Sequence, residues 1–155
     1  MILQKIVSGG QTGADQSALD FAISKNISHG GWCPRGRIAE NGLIPERFLL
    51  KETPDEKYSL RTEWNVRDSD ATVILTISAR LTGGSGLTMK LSKRWKRPCL
   101  HLSRERTADP GKTLADFIEE NMVQTLNVAG PRDSTEPGVG GYVTSVLEDT
   151  WQKIG

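Results

Sequence analysis

The sequence predicts an α/β fold with one mostly parallel sheet of about five strands, and three observations carry that expectation. Strand-like and helix-like segments alternate along the whole 155 residues, the pattern that produces a parallel sheet covered on both sides. The run "ATVILTI" (Ala71 to Ile77) is continuously apolar and rich in β-branched residues, as a strand buried on both faces requires. Two glycine-rich turns, "GGQTGAD" and "LTGGSGLT", each lead from a predicted strand into a predicted helix, which is how a doubly wound fold is built.

The elements follow in order. "ILQKIVS" (Ile2 to Ser8) reads as the first strand. Beyond its glycine turn, Ala18, Leu19, Ala22, Ile23 and Ile27 recur at helical spacing, so a helix is expected from about Asp15 to Lys25, capped by Asp15 or Thr12. A short strand near Gly31–Cys33 opens a long excursion dense in Gly, Pro and charge, expected to be mostly irregular; loops of that length in compact domains usually serve function. "YSLRTEWNVRDSD" is expected to be a helix, with Leu60, Trp64 and either Val66 or Arg67 sharing a face and Asp68 and Asp70 marking its end and the next strand. After Ala71 to Ile77 come the second glycine turn and a helix to about Lys96, then a strand at Pro98 to Ser103. Leu114, Phe117, Ile118 and Met122 mark an amphipathic helix, and Thr125 to Gly130 a further strand. A third polar loop, "PRDSTEPG", precedes a closing helix bearing Val143, Val146, Leu147, Trp151 and Ile154.

Composition bounds what such a fold can do. With 36% hydrophobic and 25% charged residues the chain is ordinary for a globular protein. One domain spanning residues 1–155 is expected, able to hide roughly 68–70% of its unfolded surface without disulfide or metal. Twenty basic against nineteen acidic side chains leave a formal charge of +1, which gives no global attraction to nucleic acid or to a membrane surface. Cys33 and Cys99 are too few for a disulfide framework, and with His29 and His101 they show no metal-ligand spacing. No segment reads as a signal peptide or a membrane span, so the expected home is the cytoplasm.

Chemistry is expected beyond the carboxyl ends of the strands, where open α/β sheets bind their ligands. Gly9, Gly10, Gln11, Thr12, Gly13 and Asp15 form the first such loop; Gly83, Gly84, Ser85, Gly86 and Thr88 form the second; Arg132 and Ser134 lie on the third. Glycine lets a backbone come close to a ligand, and a helix start offers unpaired N–H groups and partial positive charge, which together suit a phosphate. Thr12, Ser85 and Thr88 add hydroxyl donors. In "CPRGR", Arg35 and Arg37 have the planar forks that clamp phosphate oxygens. Neither glycine loop carries the Gly-Lys-Ser/Thr of a nucleotide-hydrolysing P-loop or the G-x-G-x-x-G of a dinucleotide site. Cys33 reads as a small buried residue, and Cys99 as core. Lys90, Lys93, Arg94 and Arg97, around Trp95, make a basic helical stripe; in a chain so near neutral the expected reading is a solvated face, and nucleic acid is not an expected partner.

Taken together, "SGGQTGADQSALDFA", "GGWCPRGRIAENG", "LRTEWNVRDSDATVIL", "TGGSGLT" and "LNVAGPRDS" resemble, in order and over nearly the whole chain, the molybdenum carrier family. That family lies in a Rossmann-like superfamily with the LOG (lysine decarboxylase-like) and DprA/Smf proteins. The resemblance implies a Rossmann-like three-layer αβα sandwich, a homo-oligomer (dimer or tetramer), and binding of molybdenum cofactor (molybdopterin), a phosphorylated pterin that brings its own metal. Arg61, Asn65 and Arg132 are site candidates chiefly on this resemblance. LOG phosphoribohydrolases pair an arginine on a helix with a glutamate in Gly-Gly-x-Gly-Thr-x-x-Glu. Arg61 matches the arginine, though Thr62 replaces the following lysine, and Lys90 or Leu91 stands where the glutamate belongs. Glycosidic hydrolysis needs a carboxylate beside the sugar; this loop supplies none, which leaves Glu40 or Asp15, on other loops, as stand-ins. The expected mechanism is binding and shielding with no covalent step; the alternative is a nucleotide-binding or nucleoside-monophosphate-hydrolysing enzyme resembling LOG.

Overall fold

In the computed structural model, which describes residues 2–154, five parallel strands form the central sheet in the order β2-β1-β9-β7-β8. These are β1 (Lys5–Val7), β2 (Ser28–Gly30), β7 (Ala71–Thr76), β8 (Cys99–Ser103) and β9 (Thr125–Ala129). The chain builds outward from β1 to β2, then from β7 to β8, and returns to insert β9 between β1 and β7. Register is continuous across that insertion: Val7 pairs with Asn127, and Thr72 with Asn127 on the other side.

Strand alternation divides the sheet into two unlike faces. Ile6, Val73, Leu75, Leu126 and Val128 point into one large apolar cluster with α1 (Ala14–Ser24), α4 (Pro110–Glu120) and α5 (Val139–Ile154). Each fully buried aliphatic side chain there contributes about 1.5–3 kcal/mol, so this face holds the fold together. The opposite face, under α2 (Tyr58–Arg67) and α3 (Gly83–Arg94), carries Thr72, Thr76 and Asn127 at the intervening positions, all buried. Asn127 Nδ2 donates to Thr72 Oγ1 at 3.1 Å. Polar strand residues at the centre of a sheet add little to packing, but they give that face hydrogen-bonding groups.

The excursion after β2 is more ordered than its composition predicts. β3 (Trp32–Cys33) pairs in parallel with β6 (Lys51–Glu52), and β4 (Ile38–Ala39) makes a hairpin with β5 (Gly42–Leu43). A second small core of Leu19, Cys33, Ala39, Ile44 and Phe48 sits beneath it. Arg37 ties the loop from within, donating to the carbonyls of Pro45 (3.0 Å), Phe48 (2.9 Å) and Leu50 (3.4 Å).

Several expectations are corrected by the packing. The strand expected near Gly31–Cys33 is two short strands, because the chain leaves the main sheet at Gly31. No side chain caps α1: its N-cap is Gly13, while Thr12 and Asp15 bond elsewhere. Gly83 to Thr88 form the first turns of α3 itself rather than a loop. Cys99 is only half buried, since β8 is an edge strand. Met122 follows the end of α4 and is exposed, and Ile23 faces away from the core. Leu60 is half buried, and Trp64 packs edge-on against Trp32 with ring centroids 4.7 Å apart.

Candidate functional site

The carboxyl ends of β1, β7 and β9 are adjacent, so the loops leaving them converge. Gly13 makes that convergence possible: its φ is +78°, and a Cβ there would sit 2.7 Å from the Pro131 carbonyl oxygen. Ala14 N donates to that same oxygen at 3.2 Å, locking the β1–α1 loop to the β9–α5 loop. Between these loops and the start of α3 lies a cleft of about 300 Å³. Gln11, Arg61, Gly83, Gly84, Ser85 and Arg132 line it, joined by Arg80 and Thr135. A smaller cavity of about 50 Å³ continues toward the sheet, reaching Gly9, Asp15, Thr88 and Asn127. Arg61, Gly84, Ser85 and Gly130 line both.

Arg61 reaches the cleft because residue 9 has no side chain: a Cβ on Gly9 would lie 1.5 Å from Arg61 Nη1. That nitrogen instead donates to Asp15 Oδ2 at 2.8 Å, and the pair is almost wholly buried, with side-chain exposures of 14% and 5%. Asp15 Oδ2 also accepts from Gln11 N at 3.2 Å. Two buried donors of the cleft then have no protein partner among the described residues, Arg61 Nε and Gln11 Nε2. The orientation of the Gln11 amide is determined by its other end, since Oε1 accepts from both Thr12 N (3.0 Å) and Glu40 N (2.8 Å). A buried donor left unpaired costs about 1–3 kcal/mol. Both residues line the cleft, while these two nitrogens are themselves closed to solvent.

The first turn of α3 adds to the cleft. Ser85 N and Gly86 N donate to the Thr82 carbonyl, which leaves Gly83 N and Gly84 N without an acceptor among the described residues, as helix starts do. A Cβ at Gly83 or Gly84 would meet nothing within 4 Å. Thr88 Oγ1 is turned back to the Gly84 carbonyl at 2.9 Å.

Glu40, at the turn of the β4–β5 hairpin, reaches across to hold the loops together. Its carboxylate accepts from Thr12 Oγ1, from Ser134 Oγ and, at 3.2 Å, from Ser134 N. Hydrogen bonds from Ser134 and Thr12, with the Arg132 guanidinium 4.0 Å away, hold this carboxyl below the usual range. Tyr58, the first residue of α2, has both Arg61 and Arg132 beside it, their guanidinium carbons 5.5 and 5.2 Å from its ring centre.

Of the residues the sequence pointed to, Gly9, Gln11, Asp15, Arg61, Gly83, Gly84, Ser85, Thr88 and Arg132 line the cleft or its inner cavity. Gly10, Gly13 and Gly86 shape the turns around it. Thr12 and Ser134 are engaged by Glu40, Arg37 by backbone carbonyls, and Arg35 lies exposed on a neighbouring groove. Asn65 also lines the inner cavity while it clamps β3 onto α2, accepting from Trp32 N at 2.8 Å and donating to Trp32 O at 3.0 Å.

Sequence reasoning missed Thr76, Arg80, Glu136 and Asn127. Glu136 accepts from Ile77 N (2.8 Å) and Ser78 N (3.0 Å), holding the turn that presents Arg80. Thr76 Oγ1 gives its one proton to the Ser78 carbonyl at 2.6 Å, so it accepts from His101 Nε2–H at 2.7 Å. Burial pushes that imidazole down against the opposing charge of Glu136. Arg80, in an exposed "SAR" turn, carried no sequence signal, and Asn127 stands out only as the one amide in "TLNVAG".

Burial pushes the Cys33 thiol up, the reverse of a metal-binding thiolate. Among the described residues no three His, Cys, Asp or Glu side chains gather to hold a metal ion. No helix among them is long and apolar enough to cross a membrane.

Residues 6–151 match the circularly permutated YpsA SLOG family. The chain is also similar to a protein from Syntrophus aciditrophicus SB named "Putative molybdenum carrier protein", whose crystal structure is known at 1.45 Å resolution. The two are 44% identical over 96% of this chain and 95% of that one, and superpose with a TM-score of 0.90. No curated protein matches the chain.

Proposed function

Because the chain belongs to the circularly permutated YpsA SLOG family, we propose that it is a binding or carrier protein whose cleft holds the phosphate of a small cofactor, molybdenum cofactor being the ligand it carries. The observation behind this reading is one cleft that Gln11, Arg61, Arg80 and Arg132 line at the open first turn of α3. These side chains carry donors, and the Gly83 and Gly84 N–H groups of that turn have no acceptor among the described residues. Acceptor-rich anions suit these donors, and a phosphate at a helix start is the usual case. Arg80 and Arg132 add positive charge on the same cleft. The 44% identical structure named for carrying molybdenum supports the choice of cofactor. Molybdopterin brings its metal on a dithiolene, so the protein's part is to hold the phosphate and shield the rest.

A second reading has one observation in its favour. The buried carboxylate of Asp15 lies on the water-sized cavity behind the phosphate cleft, beside Arg61. The first glycine loop thus supplies the acid that the second lacks, an arrangement suited to cleaving a nucleoside monophosphate at its glycosidic bond. In that reading the chain is a hydrolase resembling LOG, and Asp15→Asn abolishes turnover.

Native mass spectrometry of the protein from a molybdopterin-producing cell, with released small molecules identified, separates the two. A bound pterin phosphate, lost in Gly84→Val while the fold persists, is the expected result. A bound nucleotide, or free base appearing from a nucleoside monophosphate, overturns the carrier reading in favour of the hydrolase.

A further inference from the structure

Beside the phosphate cleft lies an open groove of about 550 Å³ that the turn chemistry of the strand ends does not explain. Arg35, Ile38, Glu56, Lys57, Tyr58 and Ser59 line it. Tyr58 belongs to both places: it lines the groove, and the guanidiniums of Arg61 and Arg132 approach its ring from the cleft side, 5.5 and 5.2 Å from its centre. The groove also exposes Ile38, at 51%, a large aliphatic side chain on the solvent side of the hairpin. Its lining residues include one carboxylate, Glu56, which makes no hydrogen bond or ion pair among the described residues.

We infer that this groove is the ring subsite of the same ligand, and that it takes a planar heterocycle bearing a 2-amino-4-oxopyrimidine edge, the edge that pterins and guanine share. An aromatic and an aliphatic wall suit the faces of a flat ring, since base–aromatic stacking is favourable and tolerant of ring identity. Selectivity then falls to the groove's one carboxylate, Glu56, which shares the lining with Arg35, Lys57 and Ser59. An ionised carboxylate is an acceptor with two oxygens. It pairs with a ring N–H and an adjacent amino group side by side, as the 2-amino-4-oxopyrimidine edge presents them. Adenine offers a bare ring nitrogen at the corresponding place, and an acceptor facing a carboxylate is repelled. The inference rests on the phosphate reading above, because the ring in the groove and the phosphate in the cleft belong to one ligand, with Tyr58 between the two places.

The test is calorimetric titration of the full chain with inorganic pyrophosphate, GMP and AMP, in the wild type, Glu56→Gln, Tyr58→Leu and Tyr58→Phe. GMP is expected to bind at least tenfold tighter than AMP. Glu56→Gln removes that preference and leaves pyrophosphate affinity unchanged. Tyr58→Leu weakens GMP by about tenfold, and Tyr58→Phe, which keeps the ring, does not. Equal binding of GMP and AMP, or a preference that survives in Glu56→Gln, overturns the ring subsite alone. Failure of pyrophosphate and both nucleotides to bind the wild type overturns the phosphate reading, and the ring subsite with it.

Discussion

Gly9 and Gly84 are both glycines of the same cleft, yet physics assigns them opposite roles. At Gly9 the missing Cβ is space already used by Arg61. Gly9→Ala therefore forces the guanidinium off Asp15, and overpacking of this kind costs about 1–3 kcal/mol. Arg61→Met is harsher, because it leaves the Asp15 carboxylate buried and unpaired; loss of one partner from a buried pair costs about 3–5 kcal/mol. Removing both charges, in Asp15→Asn with Arg61→Met, is expected to return part of that loss. Urea denaturation of the four proteins measures this, and single substitutions that cost under about 1 kcal/mol would show the pair to be idle. At Gly84 the added bulk meets open space, so Gly84→Val keeps the denaturation midpoint and loses the ligand. One position is occupied from inside the protein and the other is free for a ligand. Sequence alone names both as glycines of a turn and cannot tell them apart, because the difference lies in what α2 and the cleft place opposite them.

At the scale of elements, the strands and helices of the main sheet were legible because burial on two faces leaves continuous β-branched runs, and burial on one face leaves helical spacing. The 31–57 excursion was not. Its pieces are too short to show a period, and they are held by side chains bonding to distant backbone: Arg37 to three carbonyls, Asn65 to Trp32, Glu40 to Thr12 and Ser134. Such bonds leave no spacing in the sequence. Arg37 matched the phosphate-clamp pattern in composition while the fold uses it as an internal brace. The Glu40 attachment has a pH signature. Its carboxyl is held below the usual range by hydrogen bonds that need the ionised form, so the contribution is complete above the ordinary carboxylate range. It is lost as pH falls through Glu40's lowered value. In an NMR pH titration the Ser134 amide is expected to report that low transition, with the β4–β5 hairpin loosening alongside. Glu40→Gln should abolish the transition and leave the hairpin loose at every pH; an unchanged Ser134 titration in that variant would break the assignment.

For the molecule as a whole, the order β2-β1-β9-β7-β8 puts all three cleft-forming loops on the three central strands. Gln11 follows β1, Arg80 follows β7, Arg132 follows β9, and Arg61 comes from α2 on the more polar face. The position of β9 is the feature that gathers them, and strand order is not readable from a pattern of alternating elements. A site so placed cannot open by fraying of an edge, since separating any of the three strands dismantles it. Ligand bound there stabilises the global fold by RT ln(1 + [L]/Kd), about 2.7 kcal/mol at a hundredfold excess over Kd. At about 2–4 °C per kcal/mol for a chain of this size, the melting temperature rises by about 5–10 °C. The more telling measurement is native-state hydrogen exchange. Val73, Leu75 and Leu126 lie on the apolar face and line neither the cleft nor its inner cavity, and their amides exchange only through global unfolding if β7 and β9 form the stable centre. Saturating pyrophosphate is expected to slow them by the same factor as amides in the Gly9–Gly13 loop, and to do nothing in Gly84→Val. Protection confined to the loops would mean that the cleft opens locally, and that the central strands do not depend on what it holds.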